Sequence, residues 1–244
     1  VNTGRRNLAT VGRSRYPTRR IGRRDRMTPT RRTVLAAGLA ALAPLALAPL
    51  AGAPFSGPAG AESFDAAELL VPGPLPEKVL GKANAPVTMI EYSSLTCSHC
   101  AHFHADVYPK LKSDYIDTGK VRLILREFPL DPVSAAGYML ARCAGDDKYF
   151  PLIEALFATQ KGWAFTKTPY NSLLQFAKQA GFSQESFETC LKNQQVLSGM
   201  EAVRKRGSEK FGINSTPTFF INGEKHVGAM SFEELAKILD PLVR

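Results

Sequence analysis

Cys97-Ser98-His99-Cys100 sets two thiols three positions apart. Such a pair either supplies half of a zinc site or cycles between dithiol and disulfide. A zinc ribbon or finger needs a second ligand pair at comparable spacing, and Cys143 and Cys190, with 46 residues between them, do not provide one. The pair follows an apolar run at 87–92 and a turn at 93–96, and it opens a stretch with Phe103, Val107 and Leu111 at spacing four. This pattern starts a helix at the first cysteine, where unpaired N–H groups and the positive end of the helix dipole favour thiolate over thiol. Cys100 lies on the same helix face, close enough to close a disulfide. His99 adds positive charge or a hydrogen bond beside Cys97. Stabilising the thiolate makes the disulfide a stronger oxidant, because the product of its reduction is favoured.

The elements that must hold this pair are legible as periodicities. Residues 62–86 are rich in Pro and Gly and read as a lead-in with one edge strand around Val79. Residues 87–92 and 121–125 read as strands joined through the cysteine helix, which Pro109 should bend. From Pro132 to about Gly212 the pattern is helical, with Phe150, Ile153 and Phe157 on one face and stops at Gly181 and Gly212. Residues 218–221 and 224–227 then read as a hairpin across Asn222-Gly223, and Ser231 with Glu234 forms a capping box for a last helix. A helical block therefore interrupts an α/β unit.

The 244 residues carry a net charge of +9, which would ordinarily suggest a nucleic-acid partner. The distribution argues otherwise. Residues 1–32 hold 11 Arg against one acid, Asp25, a net +10, and the remainder carries −1. Thr30-Arg31-Arg32-Thr33-Val34-Leu35 runs into an Ala/Leu segment at 34–51, which reads as an export signal resembling the twin-arginine type. Small-residue sites end at Ala53 and Ala61, and cleavage before Glu62 is expected because Pro54 would follow the first. An uncleaved anchor is the alternative, disfavoured by Pro44 and Pro49. The Arg-rich residues before Met27 suggest a start site placed too early. All four cysteines fall in the 183 residues from Glu62, and export sends them to an oxidising compartment. Spacing pairs Cys97 with Cys100 and leaves Cys143 and Cys190 for each other; two buried free thiols are the alternative.

From Leu95 to His104, Leu-Thr-Cys-Ser-His-Cys-Ala-His-Phe-His strongly resembles the DsbA-like branch of thiol-disulfide oxidoreductases, as do the later Thr216-Pro217 before a strand and the helical block between. The resemblance covers about residues 75–244. It implies an α/β, thioredoxin-like fold with an inserted helical domain. The organisation expected is a leader at 1–61, a lead-in at 62–86, a thioredoxin-like domain in two parts at 87–131 and 213–244, and an inserted helical domain at 132–212. The resemblance makes Cys97 the exposed nucleophile and Cys100 the resolving thiol. It makes Glu91 a buried acid that moves protons to Cys100; by pattern alone, an outward strand position in water is equally open. It makes Pro217 a cis proline facing the cysteines and Thr216 a donor of backbone groups to an extended substrate, although the base rate for X–Pro bonds says trans. Some members of the family carry a further disulfide in the helical block, which falls on Cys143 and Cys190 and would restrict the unfolded chain.

The expected activity is that of an exported, periplasmic dithiol oxidase that acts on unfolded or newly exported proteins with cysteines. It needs no cofactor or metal, is reoxidised by a membrane quinone-linked thiol oxidase, binds no nucleic acid and works as a monomer. An isomerase or reductase is the alternative within the same chemistry. A copper- or zinc-binding protein is the alternative from another class, motivated by His99, His102 and His104 clustering beside the thiols. On a helix, His102 and His104 read as solvated or edge residues.

Overall fold

The computed structural model describes residues 62–244, and the expected export signal lies outside the described residues. Five strands form one sheet: β1 (Lys78–Leu80), β2 (Val87–Ser93), β3 (Val121–Glu127), β4 (Thr218–Ile221) and β5 (Glu224–Val227), in the order β1-β3-β2-β4-β5. β2 and β3 are parallel and the other neighbours antiparallel. A parallel pair cannot be closed by a hairpin. Its crossover here is α2 (Ser98–Asp106) and α3 (Tyr108–Leu111), followed by a π-helical turn at Lys112–Ile116.

Alternation along the strands sorts side chains to the two faces of the sheet. Val87 and Met89 of β2 and Phe219 and Ile221 of β4 pack with Phe103, Tyr108 and Leu111 and with Leu235 and Leu239 of α10 (Phe232–Leu239). Ile90, Tyr92 and Phe220 point the other way, against Leu69 of α1 (Ala66–Leu69) and Phe211 of α9 (Gln194–Phe211). Glu91 falls in register with Val87 and Met89, so its side chain enters the layer beneath α2.

Between β3 and β4 the chain is helical, as α4 (Pro132–Cys143), α5 (Asp146–Ala158), α6 (Gln160–Trp163), α7 (Pro169–Gln179), α8 (Gln184–Leu191) and then α9. Tyr138, Ile153, Leu156, Trp163, Leu173 and Phe187 of this block form an apolar core that continues into Leu95, Cys100 and Leu125 of the sheet-bearing part. Cys143 at the end of α4 and Cys190 in α8 are joined by a disulfide.

The local signals act as their chemistry dictates. Ser231 and Glu234 exchange side-chain-to-backbone hydrogen bonds at the start of α10. Asn222 and Gly223 both take positive φ at the β4–β5 turn, and a Cβ on Gly223 would meet the Phe64 carbonyl oxygen at 2.7 Å. Two expectations are corrected. The cysteine helix is not one bent rod: α2 ends at Asp106 and α3 restarts with Pro109 in its first turn, where the missing N–H costs no helical bond. The lead-in also holds α1, whose Asp65 cap and single buried Leu69 are too short a pattern for periodicity to expose. Among the described residues no helix is long and apolar enough to cross a membrane.

The Cys143–Cys190 bond closes a loop with a sequence separation of 47. Replacing both cysteines by Ala should cost about 2 to 4 kcal/mol of stability by the loop-entropy argument. Denaturant unfolding would show this as a lower midpoint, with the reactivity of Cys97 unchanged.

Candidate active site

Cys97 is the N-cap of α2, with extended backbone at φ −81° and ψ 120°. From there its Sγ accepts from the backbone N–H of Cys100 at 3.4 Å, as a capping side chain does. On the other side, Sγ lies 3.1 Å from the carbonyl oxygen of Thr216, to which the thiol donates. The Thr216-Pro217 peptide is cis, so the base-rate expectation of trans is corrected. Cys97 is half-buried, Cys100 is fully buried, and both are free thiols.

Two neighbouring sulfurs thus meet opposite environments. The Cys97 pKa is lowered to about 5, first by the hydrogen bond from the Cys100 thiol; the Thr216 side chain and the backbone N–H groups of Cys100 and His99 add to this. Partial burial pushes the other way and loses. For Cys100 burial wins: its pKa is raised well above the ordinary value, and donation to Cys97 and the charges of Cys97 and Glu91 raise it further. One thiol of the pair is a ready thiolate; its neighbour holds its proton.

The loop before Cys97 is pinned by the helical block. Gln160, buried at the start of α6, donates through Nε2 to the carbonyls of Leu95 at 2.8 Å and Cys97 at 3.0 Å. Ser134 in the first turn of α4 accepts from the Leu95 N–H and bonds the Ser94 hydroxyl, both at 2.9 Å. Asp131 caps α4 through the Ser134 N–H and accepts from the Thr96 hydroxyl. These bonds tie Ser94, Leu95, Thr96 and Cys97 to α4, its cap and α6, which fixes where α2 begins.

Beneath Cys100, Glu91 is fully buried, which removes the solvent-facing reading of that position. Its carboxylate oxygens lie 3.0 and 3.2 Å from Nε2 of His104. The expectation that His104 is a solvated or edge residue is corrected: it follows Cys100 by four residues, on the same face of α2, and stacks between Tyr108 and Phe157. His102 and His99 are exposed, and the His99 side chain makes no hydrogen bond among the described residues; it is the backbone N–H of His99 that acts on Cys97. Among the described residues no three His, Cys, Asp or Glu side chains are grouped to hold a metal ion.

Sequence reading placed His104 in solvent or at an edge and did not single out Gln160, Ser134 or Asp131. His104 had a signal, since positions 100, 103, 104, 107, 108 and 111 form one buried stripe. Gln160 had none, because its partners are carbonyls more than sixty residues away.

A family described as Thioredoxin matches residues 75–241. A protein of Rickettsia conorii, whose name gives it as a candidate protein-disulfide oxidoreductase, is 31% identical over 165 residues, or 67% of this chain and 59% of the relative. The chain thus spans about three fifths of the length of that relative. Disulfide bond formation protein D of Bacillus subtilis is 27% identical over 177 residues, covering 67% of this chain and 76% of that one. Among solved structures, alpha-DsbA1 of Wolbachia pipientis superposes with a TM-score of 0.67 at 36% identity, covering 72% of this chain and 94% of that one.

In the dithiol protein, the depressed Cys97 pKa means that the folded state binds fewer protons than the unfolded chain between about 5 and the ordinary thiol range. The resulting stabilisation is fully present above the unfolded thiol pKa and is lost as pH falls through about 5. Across this window the thermal midpoint of the dithiol form should rise with pH relative to that of the disulfide form, which has no Cys97 thiolate. A difference independent of pH would contradict the assignment.

Proposed function

This chain belongs to the thioredoxin-like, DsbA-type oxidoreductases, and from that premise we propose that it is an exported thiol-disulfide oxidoreductase that introduces disulfides into newly exported proteins. The observation that carries the reading is the opposed pair: a half-exposed Cys97 with its pKa lowered to about 5 beside a buried Cys100 that keeps its proton.

The reaction runs through two exchanges. A substrate thiolate attacks Cys97 Sγ of the Cys97–Cys100 disulfide, the S–S bond breaks, and its electron pair leaves on Cys100 Sγ. Cys100 takes up a proton, and in this reading the buried Glu91 supplies it. A second substrate thiolate attacks the substrate sulfur of the mixed disulfide, and Cys97 departs as the stabilised thiolate. The substrate loses two electrons and gains a disulfide; the enzyme ends as a dithiol. Low basicity makes Cys97 the better leaving group, which favours oxidation of the substrate.

Thr216 and Pro217 border Cys97, and in this reading they offer backbone groups to an extended substrate strand. His99 acts on Cys97 through its backbone N–H. Residues 87–131 and 213–244 form the thioredoxin-like domain after the 62–86 lead-in. Residues 132–212 are the insertion, which holds the loop before Cys97 in place through Gln160 and Ser134. The twin-arginine-type leader delivers the chain to the periplasm, with cleavage before Glu62. There a membrane quinone-linked thiol oxidase restores the disulfide, and the protein works as a monomer.

The test uses the oxidised chain from Glu62 with a reduced, unfolded substrate protein. Disulfides should appear in the substrate in step with loss of the Cys97–Cys100 bond. Cys97→Ser should abolish transfer, and Cys100→Ser, offered a protein that already carries a disulfide, should attack it through Cys97, release one substrate thiolate and accumulate a mixed disulfide visible on a non-reducing gel. Absence of transfer, with one tightly held copper or zinc ion per chain after purification under reducing conditions, would overturn the reading in favour of a metal-binding protein.

A further inference from the structure

Buried charges in this molecule are generally satisfied in full. Glu127 receives both arms of Arg142, at 2.6 and 2.8 Å, and the Tyr149 hydroxyl at 2.8 Å. Arg126 donates to both oxygens of Glu77 and to the Tyr92 hydroxyl. The first network fixes α4 and α5 to β3, and the second fixes the lead-in to β3 and β2.

The Glu91–His104 pair is different. Both side chains are buried, 0% and 3% exposed, and Glu91 has no partner other than the imidazole among the described residues. The other ring nitrogen of His104, Nδ1, is buried and has no hydrogen-bond partner among the described residues. An unpaired polar atom in a core costs stability, and such atoms persist where they are used. The ring is clamped with centroids 4.9 Å from Tyr108 of α3 and 4.2 Å from Phe157 of α5, so it cannot turn outward for a partner. Cys100 is one helical turn before it on the same face.

We propose that His104 is a positioning residue for the exchange reaction. Its Nε2 orients the Glu91 carboxylate beneath Cys100, and its second nitrogen lets the carboxylate–imidazole pair hold one more proton than a lone carboxylate in this core. The inference rests on the proposed oxidoreductase reading and deepens it. When the Cys97–Cys100 bond breaks, the electron pair left on Cys100 Sγ takes a proton from the pair. In reoxidation by an incoming disulfide, one partner sulfur is joined to Cys97 and the other leaves as a thiolate. The Cys100 thiol then returns its proton to the pair, Cys100 Sγ attacks Cys97 Sγ, and the attached partner sulfur leaves as a thiolate. A carboxylate alone beneath Cys100 would have to change charge without a counter-group, which burial opposes. The groups facing the pair are Cys100 on α2, Ser93 on β2, Tyr138 on α4, and Tyr108 on α3, whose hydroxyl donates to Glu154 on α5. Of these only Cys100 changes bonding during the reaction.

The experiment compares wild type with His104→Gln, which retains an amide to hold Glu91, and His104→Phe, which keeps the aromatic stack and removes both nitrogens. The reading is the rate at which Cys100 resolves a mixed disulfide between Cys97 and glutathione, followed by stopped flow across about pH 5 to 9. Both variants should resolve it about a hundredfold more slowly at neutral pH. The deficit should close as pH rises and hydroxide removes the Cys100 proton unaided, while the alkylation rate of Cys97 stays at the wild-type value. Wild-type rates and pH profile in His104→Gln would overturn the inference. A second measurement needs no variant: the nitrogen-15 shifts of the His104 ring should differ between the dithiol and disulfide forms of the wild-type chain, and identical shifts would overturn the inference. A wild type that fails to exchange at all strikes the proposed function itself, whereas a wild type that exchanges normally beside unaffected His104 variants strikes only the role of this histidine.

Discussion

Everything in this molecule turns on a sulfur that is easier to ionise than a free thiol because the chain winds into a helix at that atom. Cys97 is the cap of α2, so the N–H groups that a helix leaves unpaired in its first turn point at Sγ. The Cys100 thiol adds a further donor, and the two effects outweigh the cost of half-burying a charge. The same contacts read from the other end explain Cys100: its proton is engaged toward Cys97, and full burial keeps it there. Asymmetry between two chemically identical side chains therefore follows from one N-cap and a three-residue separation.

Holding that cap in place requires more than the helix. The loop before it is fixed by Gln160 and Ser134 from the helical block and by Asp131, the residue that caps the block's first helix. Thr216, which follows the block in the chain, lines the other side of the sulfur. The insertion is thus not a separate ornament on the sheet. Its first and third helices supply the hydrogen bonds that decide where α2 starts, and Phe157 of its second helix closes one side of the Glu91–His104 pair.

Much of this was legible in the sequence because the signals are local. The strands at 87 and 121, the hairpin at Asn222-Gly223 and the capping box at Ser231 each depend on residues within a few positions of one another, and each sits where its pattern implies. The cysteine motif was legible for the same reason. What sequence reading could not reach depends on contacts between distant residues. Glu91 could equally have faced water until β3 and β4 were seen to flank it. Gln160 carries no pattern of its own. His104 is the instructive case, since it sits in the buried stripe of its own helix although the sequence reads it as a solvated or edge residue. The stripe outweighed the residue type, as burial with a carboxylate partner allows.

The claim on which the account stands is that Cys97 ionises far below an ordinary thiol. The direct measurement is the rate of alkylation of the reduced wild-type chain as a function of pH, with the modified residue identified by mass spectrometry. The account predicts a single fast-reacting site, Cys97, with a midpoint near pH 5. A midpoint near about 8.5, the range of a free cysteine, would contradict it.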